Sequence, residues 1–456
     1  MDIEIDPQLL ARYDRPGPRY TSYPTTVDFA ESYGPEAYAR HLRAAASATT
    51  EPLAFYTHLP FCVHRCGFCG CHAIVSPHGE KVSAPYVRRL KRETEIVAEL
   101  LGGRRRVTQY QWGGGTPTYL TPEQIDDLFG HFASLFAFEP GAEISVEVDP
   151  RVTSPEHLAA LAAHGFNRLS AGVQDLDREV QEIIGRVQPL EQTERLVDAA
   201  RRLGFADGIN LDLIYGLPGQ RVESFADTAR AVVALGADRV AIYSFAYVPW
   251  LKGHQRALPA DRLPKREQKL ELLMAARRVF LDAGYASIGM DHFAKPGDDL
   301  SRALKDGSLH RNFMGYTTRR AGDLIGLGVS AIGSVTGSYA QNEKKLSRYY
   351  EAVDAGRLPT ERGYEMSADD RIRGEAILSL MCRFDVELPR LAPPGYFADA
   401  LRQLEPLAAD GLVELSGGRV TATPVGRLFI RNIAMCFDAH LPAATRRSTP
   451  TFSRTV

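Results

Sequence analysis

Between residues 53 and 250, short stretches of alternating polar and apolar residues take turns with longer stretches of helical periodicity, and this alternation constrains the fold more than any other feature of the chain. The predicted strands are 55–59, 108–112, 143–148, 168–174, 208–214 and 239–247. The predicted helices between them are 84–101, 121–136, 155–164, 178–203 and 221–236. Such repetition builds parallel strands joined by right-handed crossovers. Six units suit a partial, open barrel better than a closed eightfold one. The strands are not the apolar runs expected of a sheet covered on both faces. Glu143, Ser145 and Glu147 alternate with Ile144, Val146 and Val148, and Asn210 and Asp212 with Leu211 and Leu213. Arg168, Ser170 and Gln174 oppose Leu169, Ala171 and Val173, while Gln109 and Gln111 flank Tyr110. Side chains on a strand alternate faces, so one face of several successive strands is polar. That face is expected to line a solvated ligand cavity.

Before this region, Pro16, Gly17, Pro18 and Pro24 exclude a regular helix among Arg12, Tyr13, Arg15, Arg19, Tyr20 and Tyr23. The segment reads as an extended arm, serving either packing or contact with a bound molecule. Beyond 260 come a predicted helix at 264–284, a polar stretch ending in His310, Arg311, Asn312 and Phe313, and a glycine-rich run over 326–334. From about 366 the chain is mostly helical, with a hairpin predicted from 412–415 and 420–423 around Ser416, Gly417 and Gly418. This order resembles a winged helix, but no basic stripe supports a DNA-binding role. The expected division is an arm over 1–52, a barrel with its extension over 53–350, and a helical domain over 351–456. Lys and Arg total 54 against 56 Asp and Glu, a balance of −2 that argues against a nucleic-acid coat. No run approaches the ~18 apolar residues of a membrane span. The opening Met1, Asp2, Ile3, Glu4 lacks the apolar core of a secretory signal. The expected location is the cytoplasm, where thiols stay reduced.

Four of the six cysteines, Cys62, Cys66, Cys69 and Cys71, follow directly on the first predicted strand. In a reducing compartment such clustering points to metal binding or catalysis. Structural zinc would take all four thiolates. An iron–sulfur cubane held by only three would leave one iron open to a further ligand. The second predicted strand ends in Trp112, Gly113, Gly114, Gly115, Thr116, Pro117 and Thr118, where glycine allows a ligand to approach the backbone.

The C-x3-C-x2-C spacing, with Phe68 before its last cysteine, resembles the signature of the radical S-adenosylmethionine superfamily. That resemblance implies a [4Fe–4S] cluster on Cys62, Cys66 and Cys69, whose open iron chelates S-adenosylmethionine. It also implies reductive cleavage to a 5′-deoxyadenosyl radical, with the glycine run binding the cofactor's amino group. Residues 12–25, 56–71, 112–120, 208–219, 290–296, 310–318 and 323–333 are together similar to the oxygen-independent coproporphyrinogen III oxidase family. The similarity implies an α/β fold: a partial (β/α)6 barrel of radical S-adenosylmethionine type, with an N-terminal arm and a mostly helical C-terminal domain. It implies an oxidoreductase of haem biosynthesis. Hydrogen abstraction from a propionate β-carbon, then loss of CO2 and an electron, converts two propionates of coproporphyrinogen III to vinyls. The family pattern carries two S-adenosylmethionine molecules. Carried over, the first touches Tyr56, Phe68, Gly114, Glu147 and Ile332, and the second Gly115, Thr116, Gln174, Arg186, Asp212 and Ala246. Cys71 becomes a functional non-ligand, and Cys71, Tyr56 and Glu147 are the residues expected at the chemistry. The implied partners are coproporphyrinogen III and an external electron donor, with no nucleic acid, for a monomeric enzyme.

A substrate with four propionates needs cations and donors, and Arg15, Arg19, His292, Lys295, His310 and Arg311 are candidates by type. The chain departs from the family at Met314, where glutamine is common; a thioether cannot donate an amide hydrogen bond. The alternative is a haem-trafficking relative sharing the cysteine loop. Such relatives usually lack a cysteine at the Cys71 position and the 12–25 segment, as a haem-opening radical enzyme would also lack that segment.

Overall fold

Each period-two stretch forms a strand with its apolar side turned to the crossover helices. The computed structural model describes residues 6–48, 50–206, 208–441 and 452–455; the acidic opening residues 1–5 lie outside them. The central strands are β1 (Leu53–Leu59), β2 (Arg106–Gly114), β3 (Ala137–Val148), β4 (Arg168–Gln174), β5 (Ile209–Tyr215) and β6 (Arg239–Ser244), side by side and parallel in chain order. The crossovers are α1 (Glu80–Leu101), α2 (Pro122–Leu135), α3 (Pro155–Ala163), the pair α4 (Arg178–Ile183) and α5 (Leu190–Arg202), and α6 (Val222–Ala234); α7 (Arg266–Asp282) follows β6. Capping boxes start α2 at Thr121 with Gln124 and α3 at Ser154 with His157, each followed by proline in the first turn. Between sheet and helices, Phe55, Tyr110, Trp112, Phe132 and Phe166 form the heart of the core, Tyr110 stacking on Phe132 with centroids 4.1 Å apart.

The sheet does not close. Beyond β6 lie the antiparallel strands β8 (His292–Ala294) and then β7 (Ala286–Ile288). Beyond β1 lie β9 (Asp323–Leu327), which is parallel to it, and then antiparallel β10 (Ile332–Val335), β11 (Ser338–Asn342) and β12 (Thr360–Glu365). The result is one mixed twelve-stranded sheet with an open barrel at its centre.

The single helix predicted over 178–203 is a correction. Gly185 takes a φ of +65°, Pro189 caps the next helix, and the chain divides into α4 and α5. Periodicity survives the break because both pieces bury the same side. The predicted hairpin forms from Val413–Ser416 and Arg419–Ala422, with Gly417 and Gly418 both at positive φ, as a tight two-residue connection requires. Around it stand α8 (Ala368–Arg383), α9 (Ala398–Ala409) and α10 (Ile430–Met435), sharing a second core with Tyr13, Tyr20 and Tyr23 of the arm. Arg431 donates to the carbonyls of Gly17 and Pro18, Asn432 to that of Tyr13, and the Tyr20 hydroxyl to Asp438 (2.8 Å). The arm is therefore a packed element. Its Arg19 nevertheless reaches Asp291 (3.2 Å), beside β8.

Candidate active site

The polar strand faces meet as expected. Gln109, Gln111, Glu143, Ser145, Glu147, Arg168, Ser170, Asn210 and Asp212 line one cavity of about 120 Å3, with Arg239, Tyr243, His292, Met314 and Tyr316 completing its wall. At the carboxyl ends of the strands it runs into a second cavity of about 170 Å3; Glu147, Ser170 and Asp212 line both. All four clustered cysteines stand around this second cavity with Phe68, Gly114, Gly115, Thr116, Gln174 and Arg186.

The thiols are differently placed. Cys62 Sγ lies 3.5 Å from the Thr116 hydroxyl. Cys66 Sγ accepts from Arg151 (3.4 Å) and Arg186 (3.6 Å). Both guanidinium groups also hold Asp149, at 2.7 and 3.0 Å. Burial alone would raise the Asp149 carboxyl; the two arginines outweigh it and hold it below its ordinary range. Cys71 is exposed at the rim. The loop is clamped from outside: Gln255 donates to the Phe68 carbonyl (3.1 Å), and Lys252 to that of Cys71 (3.1 Å). His254 Nε2 lies 3.0 Å from the Cys69 carbonyl.

The glycine run makes a ledge that no side chain can occupy. A Cβ on Gly115 would lie 2.5 Å from the Pro60 carbonyl, and one on Gly113 would lie 2.8 Å from Glu147. Glu147 accepts from Gly114 N–H (3.2 Å) and Gln111 (3.1 Å). Burial, reinforced by Asp212, pushes the Glu147 carboxyl up to about 7, against the pull of these two donors. Burial also raises Asp212, although Asn210 and Ser170 donate to it. Gln174 ends β4 at φ +70°, where the register with β5 slips by one residue; such bulges re-aim a side chain. The break after α4 turns Arg186 inward, Nη2 donating to the Gly172 carbonyl (2.7 Å).

Three predicted residues stand off this cavity. The Tyr56 hydroxyl is 3.0 Å from His58 Nδ1, on the polar side of β1. The Ala246 carbonyl accepts from Gln255, and its residue lines a separate cavity with Lys269 and Trp250. Ile332 begins β10, two strands from Tyr56. Of the cationic candidates, Lys295 is corrected: its ammonium binds the Gly236 carbonyl (2.8 Å) and Asp238 at the opposite end of the strands. Arg15 is exposed. Asp149, Arg151, Gly172, Arg239 and Tyr243 were not predicted. The period-two pattern extends to them, since Asp149 continues Glu143, Ser145 and Glu147, and Tyr243 continues Arg239.

A site of this composition fits a thiolate-held cluster with a polar cofactor beside it. Three thiols border the cavity, the ledge offers bare backbone, and Gln174 Oε1 and Arg186 Nε are buried without a hydrogen-bond partner among the described residues. The Radical SAM superfamily model matches residues 56–232, and that of the HemN C-terminal domain matches residues 366–429. Fold and site define a radical S-adenosylmethionine enzyme, which uses a [4Fe–4S] cluster and S-adenosylmethionine. The oxygen-independent coproporphyrinogen III oxidase of Escherichia coli is 44% identical over 460 residues, covering 100% of this chain and 99% of that one. That of Synechocystis is 40% identical over 464 residues, covering 100% and 98%. The solved coproporphyrinogen III oxidase structure from Escherichia coli superposes with a TM-score of 0.90 at 42% identity, covering 96% of this chain and 100% of that one. The chain belongs to the oxygen-independent coproporphyrinogen III oxidase family.

Proposed function

We propose that this chain oxidatively decarboxylates two propionates of coproporphyrinogen III without oxygen, giving protoporphyrinogen IX in porphyrin biosynthesis. The observation that carries the reading is the continuity of the thiol-rimmed cavity with a polar lumen crossed by cationic and hydrogen-bonding side chains. When bound, the cluster and S-adenosylmethionine supply a 5′-deoxyadenosyl radical for hydrogen abstraction. Cys62, Cys66 and Cys69 are the proposed cluster ligands. Arg151 and Arg186 favour the thiolate state of Cys66. Glu147, Gln174, Arg186 and Asp212, with the ledge Gly114, Gly115 and Thr116, suit the ammonium, carboxylate and ribose groups of two cofactor molecules. Tyr56, Phe68, Ala246 and Ile332 complete that proposed set. The buried strand walls exclude competing hydrogen donors and hold the reacting carbon in place.

No helix among the described residues is long and apolar enough to cross a membrane. The proposal includes a monomer working in the cytoplasm with an external one-electron donor. It also includes the division into arm (1–52), barrel (53–350) and helical domain (351–456). The test is an anaerobic assay of the reconstituted protein with coproporphyrinogen III, S-adenosylmethionine and a reductant. CO2 and vinyl product are expected. Tight haem binding with no CO2 would instead assign the chain to haem trafficking.

A further inference from the structure

Arg311 stands in a small hairpin of His310–Asn312 and Gly315–Thr317, directly opposite Tyr316. It is only 7% exposed. Its guanidinium lies over the Tyr316 ring, 4.5 Å from the centroid. Among the described residues it makes no ion pair and no side-chain hydrogen bond, and Nε and Nη1 are buried without a partner. The neighbouring carboxylate, Asp291, is already committed to His292 (2.6 Å) and Arg19 (3.2 Å). Tyr316 and His292 line the polar lumen. Arg311 itself lines an adjoining cavity of about 380 Å3 with Tyr20, Tyr23, His310 and Phe313. That cavity shares no lining residue with the thiol-rimmed one.

An arginine stays charged in any protein environment. A buried cation without a partner is strongly disfavoured, so such a site is completed by an anion. The forked guanidinium matches a planar carboxylate. Asp370 on the cavity wall is occupied by His440 (2.7 Å) and Ser367 (2.7 Å), and Glu375 on the same wall forms no ion pair with Arg311. We infer that Arg311, with Arg19 and His292 beside it, anchors a spectator carboxylate of the substrate while another propionate reacts at the thiol mouth. The inference rests on the functional reading above. It makes Arg311 a substrate-positioning residue that sets which propionate is presented.

The test titrates reconstituted enzyme anaerobically with coproporphyrin III, the stable tetra-acid, and with its tetramethyl ester, following porphyrin absorbance. In Arg311→Met the tetra-acid should bind about tenfold to a hundredfold more weakly, with KM for coproporphyrinogen III rising in parallel. The ester affinities of parent and variant should coincide. Arg311→Lys, which keeps the charge but not the fork, should fall between. The thermal midpoint of Arg311→Met should not drop, because no protein hydrogen bond is lost. Equal tetra-acid binding by parent and both variants would overturn the inference, as would equal loss for acid and ester. A matching defect in Glu375→Gln would also overturn it, by making Arg311 half of an internal pair. A parent enzyme that binds no porphyrin and releases no CO2 would instead bring down the functional reading itself.

Discussion

Cys71 differs from the other three clustered cysteines in its neighbours. Cys62 and Cys66 are met by Thr116, Arg151 and Arg186 inside the cavity, whereas Cys71 sits at the exposed rim with its carbonyl tied to Lys252. Reconstituted Cys71→Ser should therefore keep the iron and sulfide content of the parent yet form little vinyl product. Cys69→Ala should lose most of its iron. Metal analysis beside product chromatography separates the two, and a Cys71→Ser protein empty of iron would make Cys71 a ligand. Arg186→Lys should retain iron but bind S-adenosylmethionine about tenfold more weakly in equilibrium dialysis, because one ammonium cannot serve both Asp149 and the Gly172 carbonyl as a fork does. At this scale much of the site was legible. Glu147, Gln174 and Asp212 declared their face by period two, and the cysteines by spacing. Arg186 was carried by resemblance alone. Its inward turn depends on a break that apolar periodicity does not record.

Single helices and strands carry their own consequences. Glu93 on α1 is fully enclosed and accepts from Gly328 N–H (2.7 Å), Asn342 (2.6 Å) and the Tyr349 hydroxyl (2.6 Å), fastening α1 to the glycine-rich turn after β9. Glu93→Ala should cost about 3 kcal/mol in denaturant unfolding, since three buried donors lose their acceptor. Burial pushes the Glu93 carboxyl up to about 7 against those donors. A carboxyl raised on folding contributes stability that is fully present below its unfolded value and is lost as pH rises through the folded one. The thermal midpoint of Glu93→Gln should therefore gain on that of the parent between about pH 5 and about pH 8. A gap that stays constant would show Glu93 ionised throughout. Strand positions were readable because each strand has one wet and one dry side. The β4 bulge at Gln174 was not readable, because a one-residue slip leaves the composition of the strand unchanged.

The whole molecule is held together by its two ends. The arm and the C-terminal helices share one core, and Arg431 binds the Gly17 and Pro18 carbonyls from within it. Arg431→Leu should destabilise the protein by about 2 kcal/mol and open residues 12–25 to limited proteolysis. Because Arg19 rides on that segment, substrate affinity should fall with it; an arm that stays protected would show Arg431 to be dispensable. The packing of the arm was not legible, since its partners lie some 400 residues away, as with Tyr20 and Asp438. A last consequence concerns how such an enzyme is made. Lys252, His254 and Gln255 grip the thiol loop through backbone carbonyls, so its shape is set by the polypeptide. Synthesis and maturation are thereby separable in time. A chain translated in air can wait as a finished socket and be charged when iron and reducing power return, without passing through the unfolded state.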